Sequence, residues 1–161
     1  MANNVKQIVD ELNTIATAFS SVNTFHFGLL SDINIDIDKN YPMVQVDSSL
    51  TSTNRDTFNN YLPKEKEYTF DLYVWDIYKI SEQKTKTKQE KYSDLEIIAD
   101  QYIAEVLRRT LGLGGALYIL NDEELNGNYV SNAHNDKLMG IKYTIIFRST
   151  NVGCTLGTFT Y

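Results

Sequence analysis

Residues 68–80 constrain the fold more than any other stretch of the chain. Tyr68, Phe70, Leu72 and Val74 alternate there with Thr69, Asp71, Tyr73 and Trp75. A period of two sends successive side chains to opposite faces of a strand, so the first set predicts a core-facing row. The second set is not purely polar. With Ile77 it continues an aromatic and aliphatic row that calls for a cover or a neighbour.

A second long strand is expected over 139–148, with Ile141, Tyr143, Ile145 and Phe147 on one face. Shorter strands are expected at 43–46, where Pro42 allows only an edge or a first position, and at 116–120. Val5, Ile8, Val9, Leu12, Ile15, Ala16 and Phe19 recur every three or four residues, which predicts an amphipathic helix over 3–19. Ser93-Asp94-Leu95-Glu96 reads as a capping box opening a second helix. Leu95, Ile98, Ala99, Tyr102, Val106 and Arg109 carry its period to about Leu111, and Gly112, Gly114 and Gly115 end it.

Between these elements, Phe25–Gly28 reads as an aromatic stretch closing in a turn, and Asp32–Asp38 as extended chain. The polar segments 47–65, 81–92 and 121–137 read as extended loops, and 151–161 as a C-terminal arm or a further strand. The expectation is one α+β domain over 1–161, in the order α-β-β-α-β-β. Its sheet is small and mostly antiparallel, with about four strands and two helices packed on one face.

A chain of 161 residues with 42% hydrophobic side chains suffices for one core. The net charge of −6 argues against tight DNA binding, which needs a basic face to release phosphate counterions. A single cysteine, Cys154, excludes an intrachain disulfide. The polar opening residues predict no signal peptide, and no apolar run approaches the roughly 18 residues of a membrane span. Synthesis in a cytosol is expected.

The chemistry-bearing residues favour plain structural roles. Asp32-x-Asn34-x-Asp36 opens like a calcium loop, but Ile37 and Met43 stand where that loop needs Gly and Glu. Gly112-Leu113-Gly114-Gly115 follows a helix and precedes a strand, the reverse of a phosphate-binding turn. His26, His134 and Cys154 lack paired-ligand spacing, and Asp122, Glu123 and Glu124 read as a charged loop. Arg108 and Arg109 suit the dipole at a helix end. No catalytic, cofactor-binding or metal site is expected, and the chain is not expected to be an enzyme. Lys84, Lys86, Lys88 and Lys91, beside Glu82 and Glu90, read as a solvated run whose functional use would be to meet an acidic neighbouring subunit.

Three local patterns go with this order of elements. The opening helix is followed by Phe27-Gly28-Leu29-Leu30-Ser31-Asp32 and Tyr41-Pro42-Met43-Val44. The strand Tyr68-Thr69-Phe70-Asp71-Leu72-Tyr73-Val74-Trp75-Asp76 leads through a charged loop into a helix. Asn135-Asp136-Lys137-Leu138-Met139-Gly140-Ile141 enters a long strand. Together they make the chain resemble the tail terminator and tail-completion (neck ring) proteins of tailed bacteriophages. The stretch 47–63 and the tail after Thr150 fall outside the likeness.

The resemblance implies a structural virion protein of the tail or neck, made in the bacterial cytoplasm. Such a subunit would form a homo-oligomeric ring, a hexamer or dodecamer, at the head–tail joint. It would cap the tail tube and meet neck, portal-side and tail-tube proteins. DNA would pass through without tight or sequence-specific binding, and no membrane partner is implied. Ring closure needs two different patches on each subunit. Tyr73, Trp75 and Ile77, exposed on the second face of the long strand, are expected to form one, with Lys84, Lys86 and Lys88 docking on a neighbour. The competing expectation is a small non-viral adaptor or ligand-binding module with an aromatic pocket around Phe25, Phe27 and Trp75.

Overall fold

The computed structural model describes residues 5–29, 31, 41–55, 65–78, 87–112, 117–119, 125–131 and 138–149. Two helices, α1 (Val5–Ala18) and α2 (Lys88–Gly112), and seven strands are formed among them. The strands are β1 (Thr24–Phe27), β2 (Met43–Val46), β3 (Thr51–Arg55), β4 (Glu65–Ile77), β5 (Leu117–Ile119), β6 (Asn128–Ser131) and β7 (Leu138–Ser149). They make one mixed sheet along the path β1-β2-β4-β7-β5. The α+β class is as expected, but the sheet is larger than about four strands and the order is α-β-β-β-β-α-β-β-β.

The two strongest period-two segments form the centre. β4 and β7 pair antiparallel from Lys66↔Ser149 to Ile77↔Leu138. Tyr68, Phe70, Leu72 and Val74 meet Met139, Ile141, Tyr143, Ile145 and Phe147 on one face, under both helices. Ile8, Leu12, Ile15 and Ala16 of α1 and Leu95, Ala99, Tyr102, Ile103 and Val106 of α2 close this core. The buried Tyr102 hydroxyl donates to the Leu12 carbonyl at 2.8 Å, which satisfies its one polar atom and ties the helices together. Arg109 does so at the surface, donating to Glu105 on its own helix and to Glu11 on α1. It is therefore an interhelical tether as well as a complement to the dipole.

Three polar segments differ from expectation. Within 47–65, β3 continues the line of β2 along the same edge of β4. Residues 47–50 stand opposite Phe70 and Asp71, so the strand bulges there, and Asp47 holds the bulge by accepting from the Ser49 amide at 2.8 Å. Within 121–137, β6 pairs with β7. Thr51, Ser52 and Thr53 are exposed, as are Asn128, Tyr129 and Ser131, so neither strand has a buried face to write an alternating pattern. β1, formed from the aromatic stretch, pairs parallel with β2, which makes β2 an inner strand. Pro42 is tolerated because it sits before the first paired residue, and its carbonyl accepts from Asn23 N; the Tyr41–Pro42 bond is cis.

The second helix starts earlier than Ser93. Its capping box is Thr87-Lys88-Gln89-Glu90: the Thr87 amide donates to the Glu90 carboxylate at 2.6 Å, and the Glu90 amide donates to the Thr87 hydroxyl at 3.2 Å. Two boxes of the same form stand six residues apart, and the earlier one is used. The extra turn lets Tyr92 pack on the core and donate to the Val130 carbonyl at 3.2 Å.

Candidate functional site

Both helices lie on one face of the sheet, and the other face divides into a closed half and an open half. The closed half is a second cluster of Met43, Trp75 and Leu138, flanked by Tyr41, Tyr73, Ile77 and Val130. Trp75 is only 3% exposed, which corrects the expectation of an exposed aromatic row. The reason is its cross-strand partner. Gly140 stands opposite Trp75 on β7, and with no side chain there the indole lies down over the backbone. The indole N–H donates to Gln45 Oε1 at 2.7 Å, and Gln45 Nε2 donates to the Gly28 carbonyl at 2.9 Å, so the indole and the Gln45 amide are paired. Tyr73 stacks on Trp75, with centroids 5.2 Å apart and planes 6° from parallel. Tyr73 and Ile77 stay half-buried at the border of the cluster.

The open half is polar and internally paired. Lys142 reaches Asp71 at 2.7 Å and lies over the Tyr73 ring, and the Thr144 hydroxyl donates to Asp71 at 2.7 Å. The hydrogen bond to Asp71 raises Lys142 above the ordinary lysine value, while burial raises Tyr73. Arg148 holds the mostly buried Glu67 at 2.5 Å and stands 3.7 Å from Glu65. These pairs leave little unbalanced charge.

Of the expected lysines, Lys84 and Lys86 lie outside the described residues, as do the Asp32–Asp38 segment, residues 113–115, Asp122–Glu124, His134 and the 151–161 tail. Lys88 is the exposed first residue of α2. His26 is half-buried on β1 with its Nε2 enclosed. The expected aromatic pocket does not form. Phe25 packs into the helix-side core, Trp75 belongs to the cluster on the opposite face, and Phe27 is 42% exposed. Strand alternation puts Trp75 on the face opposite Phe25 and Phe27.

A patch not singled out from sequence lies at the β6 edge. Tyr129 is 56% exposed, and its ring meets Tyr92 edge-to-face with centroids 5.1 Å apart. The Glu96 carboxylate beside the Tyr129 hydroxyl raises it above the ordinary tyrosine value. Asp100, one helical turn on, accepts from Tyr143 at 2.8 Å. Both carboxylates are exposed, and among the described residues no lysine or arginine pairs with either. Ile97 beside them is 58% exposed. The sequence signal was faint, a lone Tyr-Val inside a run of Asn and Gly.

A shallow groove of ≈ 340 Å³ runs between the helices, lined by Ile15, Phe19, Ala104, Glu105, Arg108 and Arg109 among others. Its arginines are already paired with Glu105 and Glu11. Among the described residues no group of three or more His, Cys, Asp or Glu is placed to hold a metal ion, and no helix is long and apolar enough to cross a membrane. No protein-family model and no curated protein matches the chain.

Proposed function

We propose that the chain is a structural subunit of the head–tail joint of a tailed bacteriophage, forming a ring that caps the tail tube and connects it to the neck. The observation that carries this reading is the one-sided architecture. Both helices cover one sheet face, and the open half of the other face, from Glu67 and Arg148 to Asp71 and Lys142, has no helix over it among the described residues. A charge-balanced sheet face with no helix over it among the described residues suits a neighbouring subunit better than a small substrate, because its charged groups pair with one another across the strands instead of converging on a cavity. The second and third sequence patterns of the resemblance begin and end on β4 and β7, the strands that make this face. Tyr73 and Ile77, at the border of the closed half, remain the aromatic and aliphatic part of the proposed contact. Trp75 serves it from beneath.

The test is the mass of the purified protein across a concentration series, by light scattering, with negative-stain images of the products. A closed ring of fixed subunit number, a hexamer or dodecamer, is expected, and it should bind one end of isolated tail tubes. Open-ended polymers, or a monomer that ignores tube ends, would defeat the reading. Duplex DNA should shift weakly or not at all at physiological salt, since a chain of net charge −6 displaces few of the counterions condensed on the phosphates.

A further inference from the structure

Large apolar side chains left in water are informative when they gather with unbalanced charge. Four are exposed among the described residues: Phe27 and Leu29 beside β1, and Ile97 and Tyr129 beside β6. The sheet path puts these pairs at opposite sides of the molecule. The second pair stands beside two exposed carboxylates. Glu96 and Asp100 sit one helical turn apart on α2, Asp100 accepting from the Tyr143 hydroxyl and Glu96 beside the Tyr129 hydroxyl, and neither has a cation partner among the described residues. The Tyr129 ring beside them is 56% exposed. Two carboxylates next to an exposed aromatic ring are suited to an ammonium group, which gains both Coulomb and cation–π attraction there.

The chain contains a segment of matching chemistry. Lys84, Lys86 and Lys88 alternate with uncharged residues just before and at the start of α2, and Lys88 is exposed with no carboxylate partner among the described residues. Eight residues of helix separate Lys88 from Glu96, about 12 Å along the axis, so Lys88 cannot serve the patch of its own chain. We propose that the Tyr129 patch, with Glu96 and Asp100, receives the Lys84–Lys86–Lys88 run of a second copy of this chain. The contact joins two different surfaces and is therefore head-to-tail. It rests on the self-assembly proposed above and adds to it a specific pair of surfaces.

The experiment uses two charge-reversed full-length proteins. Glu96→Lys with Asp100→Lys makes the patch basic, and Lys84→Glu, Lys86→Glu and Lys88→Glu make the run acidic. Sedimentation velocity should show each alone associating at least ~10-fold more weakly than the wild type, because like charges then face each other. An equimolar mixture should recover the wild-type assembly, since each variant supplies the complement that the other lacks. Recovery also shows that both variants are folded. The proposal is overturned if either variant assembles like the wild type, or if the mixture stays dissociated, which is the outcome when the lysine run folds back on its own chain. A wild-type ring indifferent to both reversals sinks this contact and leaves the ring. Open-ended chains that obey the charge swap keep the contact and sink the ring.

Discussion

The indole of Trp75 lies flat over Gly140, the residue directly across from it on β7. A Cβ at Gly140 would fall 2.6 Å from one ring carbon and 2.9 Å from another, well inside contact distance. The glycine is thus a seat for the ring, and the ring covers backbone that a glycine would leave bare. Gly140→Ala should destabilise the fold by about 1–3 kcal/mol through overpacking, and Gly140→Val by more. Trp75→Ala should cost about 3–5 kcal/mol from the emptied site. Urea unfolding followed by circular dichroism measures all three. A neutral Gly140→Ala would mean that the ring is not seated there.

Gln45 links the buried indole to β1 by accepting from Trp75 and donating to the Gly28 carbonyl. Gln45→Leu strands both groups without water and should cost about 1–3 kcal/mol. In a double-mutant cycle with Trp75→Phe the losses should be less than additive, since one hydrogen bond is counted in both single variants. Simple additivity would show that the pair is not coupled.

Thr87→Ala should weaken α2 by about 1 kcal/mol, because the Thr87 hydroxyl accepts the Glu90 amide at the first turn. Ser93→Ala, inside the helix, should change stability by a few tenths at most. Unfolding midpoints of the two variants decide between the boxes, and the reverse ranking would restore the later helix start.

Glu105 is held at about 2, below its ordinary 4.5, first by hydrogen bonds from Arg108 and Arg109. A depressed carboxyl contributes stability that is complete above its unfolded value and disappears as the pH falls through the folded one. Between about pH 4.5 and 2 the unfolded state binds the proton more readily, so acid should lower the unfolding midpoint. Glu105→Gln should flatten that part of the profile. An unchanged acid limb would show that the arginine contacts are too solvent-screened to matter, as exposed pairs often are.

Legibility from sequence followed burial on one face. The α1 stripe, the β4 row and the β7 row were readable because one side of each element meets the core and the other does not. β3 and β6 were not, since neither carries a fully buried side chain among the described residues to mark one face. The start of α2 was misplaced because Thr87-x-x-Glu90 and Ser93-x-x-Glu96 satisfy the same local rule, and only the packing of Tyr92 against Tyr129 and β6 favours the earlier one. Of the expected interface, the second-face position of Tyr73, Trp75 and Ile77 followed directly from alternation. The burial of Trp75 did not, because it depends on a glycine sixty-five residues away.

By itself, then, the sequence determined the class of the fold and which side chains share a face, because helical and strand periods are local properties of the backbone. Tertiary structure alone decided what lies opposite what: Gly140 beneath Trp75, Glu11 within reach of Arg109, Tyr129 beside Glu96. Those pairings depend on strand register and helix placement, which are set by the fit of the whole core and leave no mark at a fixed spacing along the chain.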